Sequence, residues 1–356
     1  MSTLQISLAV VGGLVLAGVV AHSTWSSRRS LPKQATPEAV PVAEVPAPLG
    51  AGDNAGERQE PSFDVDSGLA SLASLTSMTT PDRKPGLDIL IDAMAPVAVD
   101  SMVSGEAALA AMPSTRRAGS KPFGVEGLSG ITGEWEFPTA GHRYSAFQCG
   151  VQLANRTGAL NQIEYSEFVM KAQAFADAVG GEPEFPEMLD EVARARELDQ
   201  FASGHDAQLS FTLRAVNTAW SPGYVQQSAA RLGFVAGSIP GRMVLPASQS
   251  GQAPILGLAF DTQAAMAEDP EQTALRELTL SLDVPQVSRT EKPFARMCEA
   301  ALSLAANMDG VIIDDNGNLI RPEAMEVIHA DLEQLYDTLD SRDLSAGSVL
   351  GRRLFS

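Results

Sequence analysis

The chain has 356 residues, with Lys+Arg 25 against Asp+Glu 44, a formal net charge of −19, and 44% hydrophobic residues. This length accommodates two modest domains with real cores. The charge argues against a nucleic-acid binder, which neutralises phosphates with Lys and Arg. Two cysteines, Cys149 and Cys298, and four scattered histidines form neither a disulfide framework nor a metal cluster. No cofactor, metal or small-molecule substrate is expected.

Residues 1–5 form a short external N-terminus. Ile6 to Trp25, centred near Leu16, contains no Asp, Glu, Lys or Arg. At 1.5 Å per residue such a stretch spans roughly 30 Å, the thickness of a bilayer's hydrocarbon core. Trp25 stands where an interfacial aromatic belongs. A cleaved signal peptide fits less well, because Met1 to Gln5 carries no basic side chain. Arg28, Arg29 and Lys33 follow the span, so the positive-inside rule places the bulk of the chain in the cytoplasm. Two unpaired cysteines suit a reducing compartment.

Residues 26–84 are rich in Pro, Ala and Ser, without helical or strand period, and read as a disordered tether. From residue 85 the text becomes globular and carries a weak internal repeat. In the first unit (85–204), Leu87 to Met94 alternates like a half-buried strand, and a helix is expected over Gly105–Met112. Strands follow at Glu134–Phe137 and Tyr144–Leu153, and Gly127–Gly130 reads as a loop. Tyr165, Phe168, Val169, Ala172, Phe175, Ala176 and Val179 then step by 3 and 4 to Gly180-Gly181. A degraded strand at Glu182–Phe185 and a helix from Pro186-Glu187 close the unit.

The second unit (205–340) answers in order. A strand at Leu209–Val216 is matched to Leu87–Met94 by setting Leu209 against Ile89. A helix runs over Pro222–Leu232, with Ser221 as N-cap. Strands follow at Arg242–Leu245, Ile255–Phe260 and Leu278–Val284. A helix through Phe294, Met297, Ala301, Leu304, Ala305 and Met308 ends at Gly310. Val311–Asp314 is a short strand, and Pro322-Glu323 starts the last helix. The predicted class is α+β: a split β-α-β, ferredoxin-like antiparallel sheet with helices on one face, duplicated. Residues 341–356 read as a C-terminal tail.

Within this layout the second unit resembles the C-terminal domain of the ZipA family of bacterial division proteins. The resemblance is carried by Leu232-Gly233-Phe234-Val235-Ala236-Gly237, by Asp283-Val284-Pro285, and by the run from Met308-Asp309-Gly310 through Asn316-Gly317-Asn318 to Arg321-Pro322. The span and tether match that family by layout, and the first unit resembles a diverged copy. The resemblance implies a non-enzymatic inner-membrane adaptor. Its sheet face would bind the FtsZ C-terminal tail, tethering and bundling filaments at the division site.

Strand parity complicates the site. Leu256, Leu258 and Phe260, and Leu278, Leu280, Leu282 and Val284, point to the core. The opposite face then carries Gln208, Ser210, Thr212, Gly257, Ala259, Asp261, Thr279, Ser281 and Asp283, which is polar for a peptide groove. Two accounts stay open. The first unit carries the groove through Leu90, Met94, Tyr144 and Ala146, or the two units pack against each other and the partner site is elsewhere. Ile239, Ala259, Thr279 and Ser281 stand as the second unit's partner-binding candidates, for FtsZ or another division or envelope component. Asp314, Asn316 and Asn318 alternate like a calcium loop. The positions that need Gly and Glu hold Leu319 and Met325, so Asn316-Gly317 reads as a tight turn. Ser203, His205 and Asp206 are sequence neighbours without a nucleophile elbow, and read as structural. Glu182–Asp199 reads as an acidic solvated helix face.

Overall fold

The computed structural model describes residues 32–35, 86–269, 272–314 and 316–356. The expected span Ile6–Trp25, with Arg28 and Arg29, lies outside the described residues. Among those described, no helix is long and apolar enough to cross a membrane.

The first module contains β1 (Asp92–Ser104), α1 (Gly105–Ala111), β2 (Arg117–Ala118), β3 (Lys121–Ser129), β4 (Trp135–Glu136), β5 (Arg143–Gln152), the hairpin β6 (Ala154–Asn155) and β7 (Gly158–Ala159), α2 (Gln162–Val179), β8 (Gly181–Pro183) and α3 (Met188–His205). The second contains β9 (Gln208–Ala215), α4 (Pro222–Ala230), β10 (Val235–Ala236), β11 (Arg242–Leu245), β12 (Leu256–Ala259), α5 (Thr262–Ala265), β13 (Glu277–Asp283), α6 (Pro293–Met308), β14 (Gly310–Ile313) and α7 (Pro322–Asp340). A further helix, α8 (Val349–Leu354), ends the chain.

The first sheet runs β2-β3-β5-β1-β8, and the second runs β10-β11-β12-β13-β9-β14. The orders coincide when β1, β3, β5, β8 and β2 are set against β9, β12, β13, β14 and β11. The fold is thus mixed α+β, with two antiparallel sheets of one topology. Each buries one face under helices. Ala93, Ala95 and Val97 of β1 and Phe147, Cys149 and Val151 of β5 pack with Phe168, Ala172 and Phe175 of α2. Phe211 and Leu213 of β9 and Leu278, Leu280 and Leu282 of β13 pack with Phe294, Met297, Ala301 and Leu304 of α6. Burial pushes the Cys149 thiol up to about 12 and the Cys298 thiol to about 11, so both are inert apolar fillers.

Local chemistry explains the element ends. Ser221 accepts from Tyr224 N and caps α4 as expected. Asn161 caps α2 by accepting from Ile163 N and Glu164 N, and the Glu164 carboxylate accepts in return from Asn161 N at 3.2 Å. Glu164 also accepts from Ser120 N at 2.8 Å and Ser120 Oγ at 2.7 Å, which ties the β2–β3 turn to α2.

Five expectations are corrected. Leu87–Met94 is not one strand: Asp88 accepts from Leu90 N at 2.9 Å and Asp92 accepts from Asp88 N at 2.8 Å, closing a turn before β1. Matching Ile89 to Leu209 is therefore out of register, because Ile89 is an exposed turn residue. Gly127–Ser129 belongs to β3 rather than to a loop. Residues 341–356 are no free tail, since Leu354 and Phe355 are buried. Residues 32–35 are not free tether either. Lys33 N donates to Ala219 O at 2.7 Å and Ser221 N donates to Lys33 O at 2.8 Å.

The C-terminus joins the modules. Arg353 forks onto Asp92 at 2.6 and 3.0 Å and donates to Gly86 O. Gln152 Nε2 donates to Arg353 O at 2.8 Å from the first module, and Gln286 Nε2 donates to Phe355 O at 2.7 Å from the second. Beside them Arg156, on the β6–β7 hairpin, holds Asp206 at 2.6 Å and Asp283 at 2.7 Å. Asp92 has no solvent exposure; burial pushes its carboxyl up, against the pull of Arg353.

Two outcomes follow. Arg353→Ala leaves the buried Asp92 carboxylate without its cation and should cost about 3 kcal/mol in urea unfolding. A loss under about 1 kcal/mol would show that the latch adds no stability. Burial pushes the Glu164 carboxyl up, but the bonds from Ser120 and Asn161 prevail and hold it below 4.5. Its folded value is depressed, so its contribution is complete above pH 4.5 and fades as pH falls through that lower value. The difference in Tm between the chain and Glu164→Gln should shrink on acidification below pH 4.5, and a gap that widens there would contradict this.

Candidate functional site

The candidate surfaces are the faces of the two sheets turned away from the helices. On the second sheet, cross-strand pairing aligns two rows. One runs Val235, Val244, Gly257, Ser281 and Ser210; the other runs Arg242, Ala259, Thr279 and Thr212. Ser281 is exposed, and Ala259, Thr279 and Thr212 are half-buried. Small side chains at the centre make this face a shallow trough. Val235, half-exposed, and Val244 form its apolar edge, and the Arg214–Glu277 pair at 2.6 Å borders the far side. The parity argument thus stands for Ala259, Thr279 and Ser281.

Three other residues expected near this face have different places. Ile239 is exposed in the β10–β11 turn, beside the sheet rather than on it. Asp261 caps α5 by accepting from Gln263 N at 2.9 Å, and Asp283 is engaged by Arg156. The apolar edge escaped the sequence reading because β10 has two residues, too few to show a period.

The matching face of the first sheet is partly covered by its own chain. Leu87 lies over Gly124 and Gly150, beside the Met94 sulfur. A Cβ on Gly150 would sit 2.7 Å from the Leu87 side chain, so these glycines are what admit it. The Glu126 carboxylate accepts from Gly86 N, from Leu87 N at 3.1 Å, and from Gln148 Nε2 at 2.8 Å. Met94 is therefore half-buried under Leu87, with Ala146 further along the same face. A cleft of about 420 Å³ lies alongside, lined by Leu87, Met112, Phe123 and Phe137, with Arg116 over the Phe137 ring at 4.5 Å.

Two residues assigned to this first face are not on it. Leu90 sits in the turn before β1, about half exposed. Tyr144 is fully buried in the core, its ring 5.6 Å from Phe147. The register of β5 shifts between Tyr144 and Ala146 against β1 and between Tyr144 and Phe147 against β3. A bulge of this kind reverses parity and turns Tyr144 inward. Its hydroxyl accepts from Thr139 N at 2.8 Å and donates to Glu136 at 3.0 Å.

The remaining motifs serve structure. Asp314 accepts from Asn316 N at 2.9 Å and Asn318 N at 2.8 Å, and Gly317 has φ +81°, a tight turn as expected. His205 Nδ1 bonds Phe201 O at 2.7 Å while Asp206 pairs with Arg156, so the Ser203, His205 and Asp206 set is not assembled. On α3, Arg194 pairs with Glu191 at 2.8 Å and donates to Asp92 O at 2.6 Å, which fastens the acidic helix to β1. Among the described residues no group of three or more His, Cys, Asp or Glu could hold a metal ion.

Residues 261–331 match the family model described as ZipA, C-terminal FtsZ-binding domain. The match takes in β13, α6, β14 and the first half of α7, so the resemblance read from Asp283-Val284-Pro285 and the Met308–Pro322 run is shown for the second module. The chain matches no curated protein.

Proposed function

We propose that this chain, with its ZipA-type second module, is a membrane-anchored adaptor of cell division. The trough of the second sheet would receive the FtsZ C-terminal tail. One observation carries the choice of face: on the module that matches the FtsZ-binding family the trough is open at Ser281, whereas the first module's corresponding face lies partly under Leu87.

A trough floored by Gly257, Ala259, Ser210 and Ser281 lets a peptide backbone approach closely. The peptide's own apolar side chains would supply the buried area, with Val235 and Val244 as the receiving edge. Hydroxyls of Thr212, Thr279 and Ser281 can pair with peptide amides. Such a contact is weak singly. Repetition along a filament and confinement at the membrane would raise it by avidity.

Ile6–Trp25 is proposed as the single inner-membrane span, with the N-terminus outside and the division site as the place of action. The first module is proposed as a diverged copy, supported by the shared strand order. The role is recruitment and bundling rather than catalysis. A second reading keeps the fold and changes the partner to another division or envelope component; the polarity of the trough favours it.

The chain titrated into a fluorescent FtsZ tail peptide should give saturable anisotropy in the micromolar range. Thr279→Lys and Ser281→Lys place a long cation in the trough and should each weaken binding by about tenfold, roughly 1.4 kcal/mol. Met94→Asp, on the covered face, should leave affinity unchanged. A flat titration with folded protein would remove the FtsZ assignment and favour the second reading. An effect confined to Met94→Asp would move the groove to the first module.

A further inference from the structure

Residues 32–35 lie far in sequence from the second module and yet are built into it. Trp220 is fully buried and forms the middle of a three-segment bridge, antiparallel to Leu275 on one side and parallel to Lys33 on the other. Lys33 contributes both backbone groups, its N–H to Ala219 O and its C=O to Ser221 N, and Pro32 beside it is buried. Its ammonium donates to Met308 O at 3.0 Å, the same carbonyl that accepts from Trp220 Nε1 at 2.8 Å.

Met308 is the last residue of α6, where carbonyls lack helical partners and the helix dipole is negative. The last turn of α6 holds no basic residue, and its C-cap is Asp309, an acid at the wrong end for the dipole. Lys33 supplies from outside the cation that the helix lacks. At the next described residue, Gly86 is held by Glu126 and Arg353. Residues 32–35 and Gly86 are thus both held on the folded part of the chain.

We propose that residues 32–35 are a clasp that docks the second module at the N-terminal end of the chain, so that residues 36–85 do not set its distance from the membrane. The membrane clause rests on the anchor proposed above. From Trp25 to Lys33 is eight residues, at most about 29 Å of chain. A free tether over 26–84 would average roughly 40–45 Å and reach about 200 Å at full stretch. The clasp thus holds the FtsZ-facing module close beneath the bilayer, and Lys33 acts as a structural cap rather than a topogenic charge.

The test uses the full chain in nanodiscs. Amide exchange at Lys33 and Ser221 should be slowed at least about tenfold relative to residues 36–85. Lys33→Pro removes the N–H donor and the ammonium together, and should speed Ser221 exchange by a similar factor. Energy transfer from a lipid-surface dye to a label on Gln334→Cys should be unchanged when 60 Gly/Ser residues are inserted after Gly56. A free tether would lengthen that distance about 1.4-fold. Unprotected Lys33, or a distance that follows the insertion, overturns the clasp. Extraction of the chain from membranes by alkaline carbonate would overturn the anchor instead, while exchange at Lys33 would still decide the clasp.

Discussion

The buried contact between Arg353 and Asp92 is the constraint on which the two-module arrangement turns. Asp92 begins β1 and has no solvent exposure, and Arg353 comes from the last helix of the chain. A buried carboxylate is tolerated only with a cation and further donors around it. Here Arg353 gives two bonds and Asp88 N–H a third. The same arginine reaches Gly86 O, and its own backbone carbonyl accepts from Gln152. The start of the first sheet cannot be satisfied until the C-terminus has docked. The hydrophobic core agrees, since Ile91 and Ala154 of the first module pack in one cluster with Leu354, Phe355 and the second module's core.

That constraint also shapes the difference between the two sheet faces. To place Asp92 against Arg353, the chain before β1 turns back through Asp88 and lays Leu87 on the outer face of the first sheet. Glu126 then satisfies the backbone N–H groups of Gly86 and Leu87. One sheet of the pair is thereby committed to the molecule's own architecture. The second sheet has no such segment leading into β9, because α3 delivers the chain directly through Ala207. Two sheets of one strand order therefore present different chemistry, a face with an aliphatic cover and a face with an open floor of Gly, Ala, Ser and Thr.

Legibility in the sequence followed period and length. Long periodic elements were readable: the C-terminal ends of α2 and α6, the start of α7 and the bounds of β12 and β13 fall within a residue or two of expectation, and the polar outer face followed from parity alone. Short elements and broken registers were not. Tyr144 was misplaced because a bulge is a backbone event that no side-chain pattern announces. Leu87–Met94 mimicked a strand because Asp88 happened to fall at a polar position of the alternation, while its carboxylate was in fact closing a turn. Arg353 read as one of several charges in a terminal segment, since its partner Asp92 lies 261 residues away. Lys33 was assigned to topology for the same reason: proximity to an apolar span is visible in one dimension, and the carbonyl of Met308 is not.

The clasp fixes the second module and the latch ties the two modules together, which on the proposed function bears on how a weak peptide contact would organise a filament. Effective concentration depends on how small a volume the site explores. A long flexible tether spreads the trough through a shell tens of ångströms deep. A module whose docking point, Lys33, lies within about 29 Å of chain from the proposed anchor would survey far less. The latch then removes a second freedom, rotation of one module against the other, by tying Arg353 and Arg156 across the junction. On the proposed anchor and partner, adaptors fixed in this way would confine their troughs to one layer beneath the membrane, where a polymer with one tail per subunit would meet many of them at once. A polar trough of low intrinsic affinity would then suffice for the proposed role, because confinement and repetition would supply what apolar anchors provide in a deeper groove.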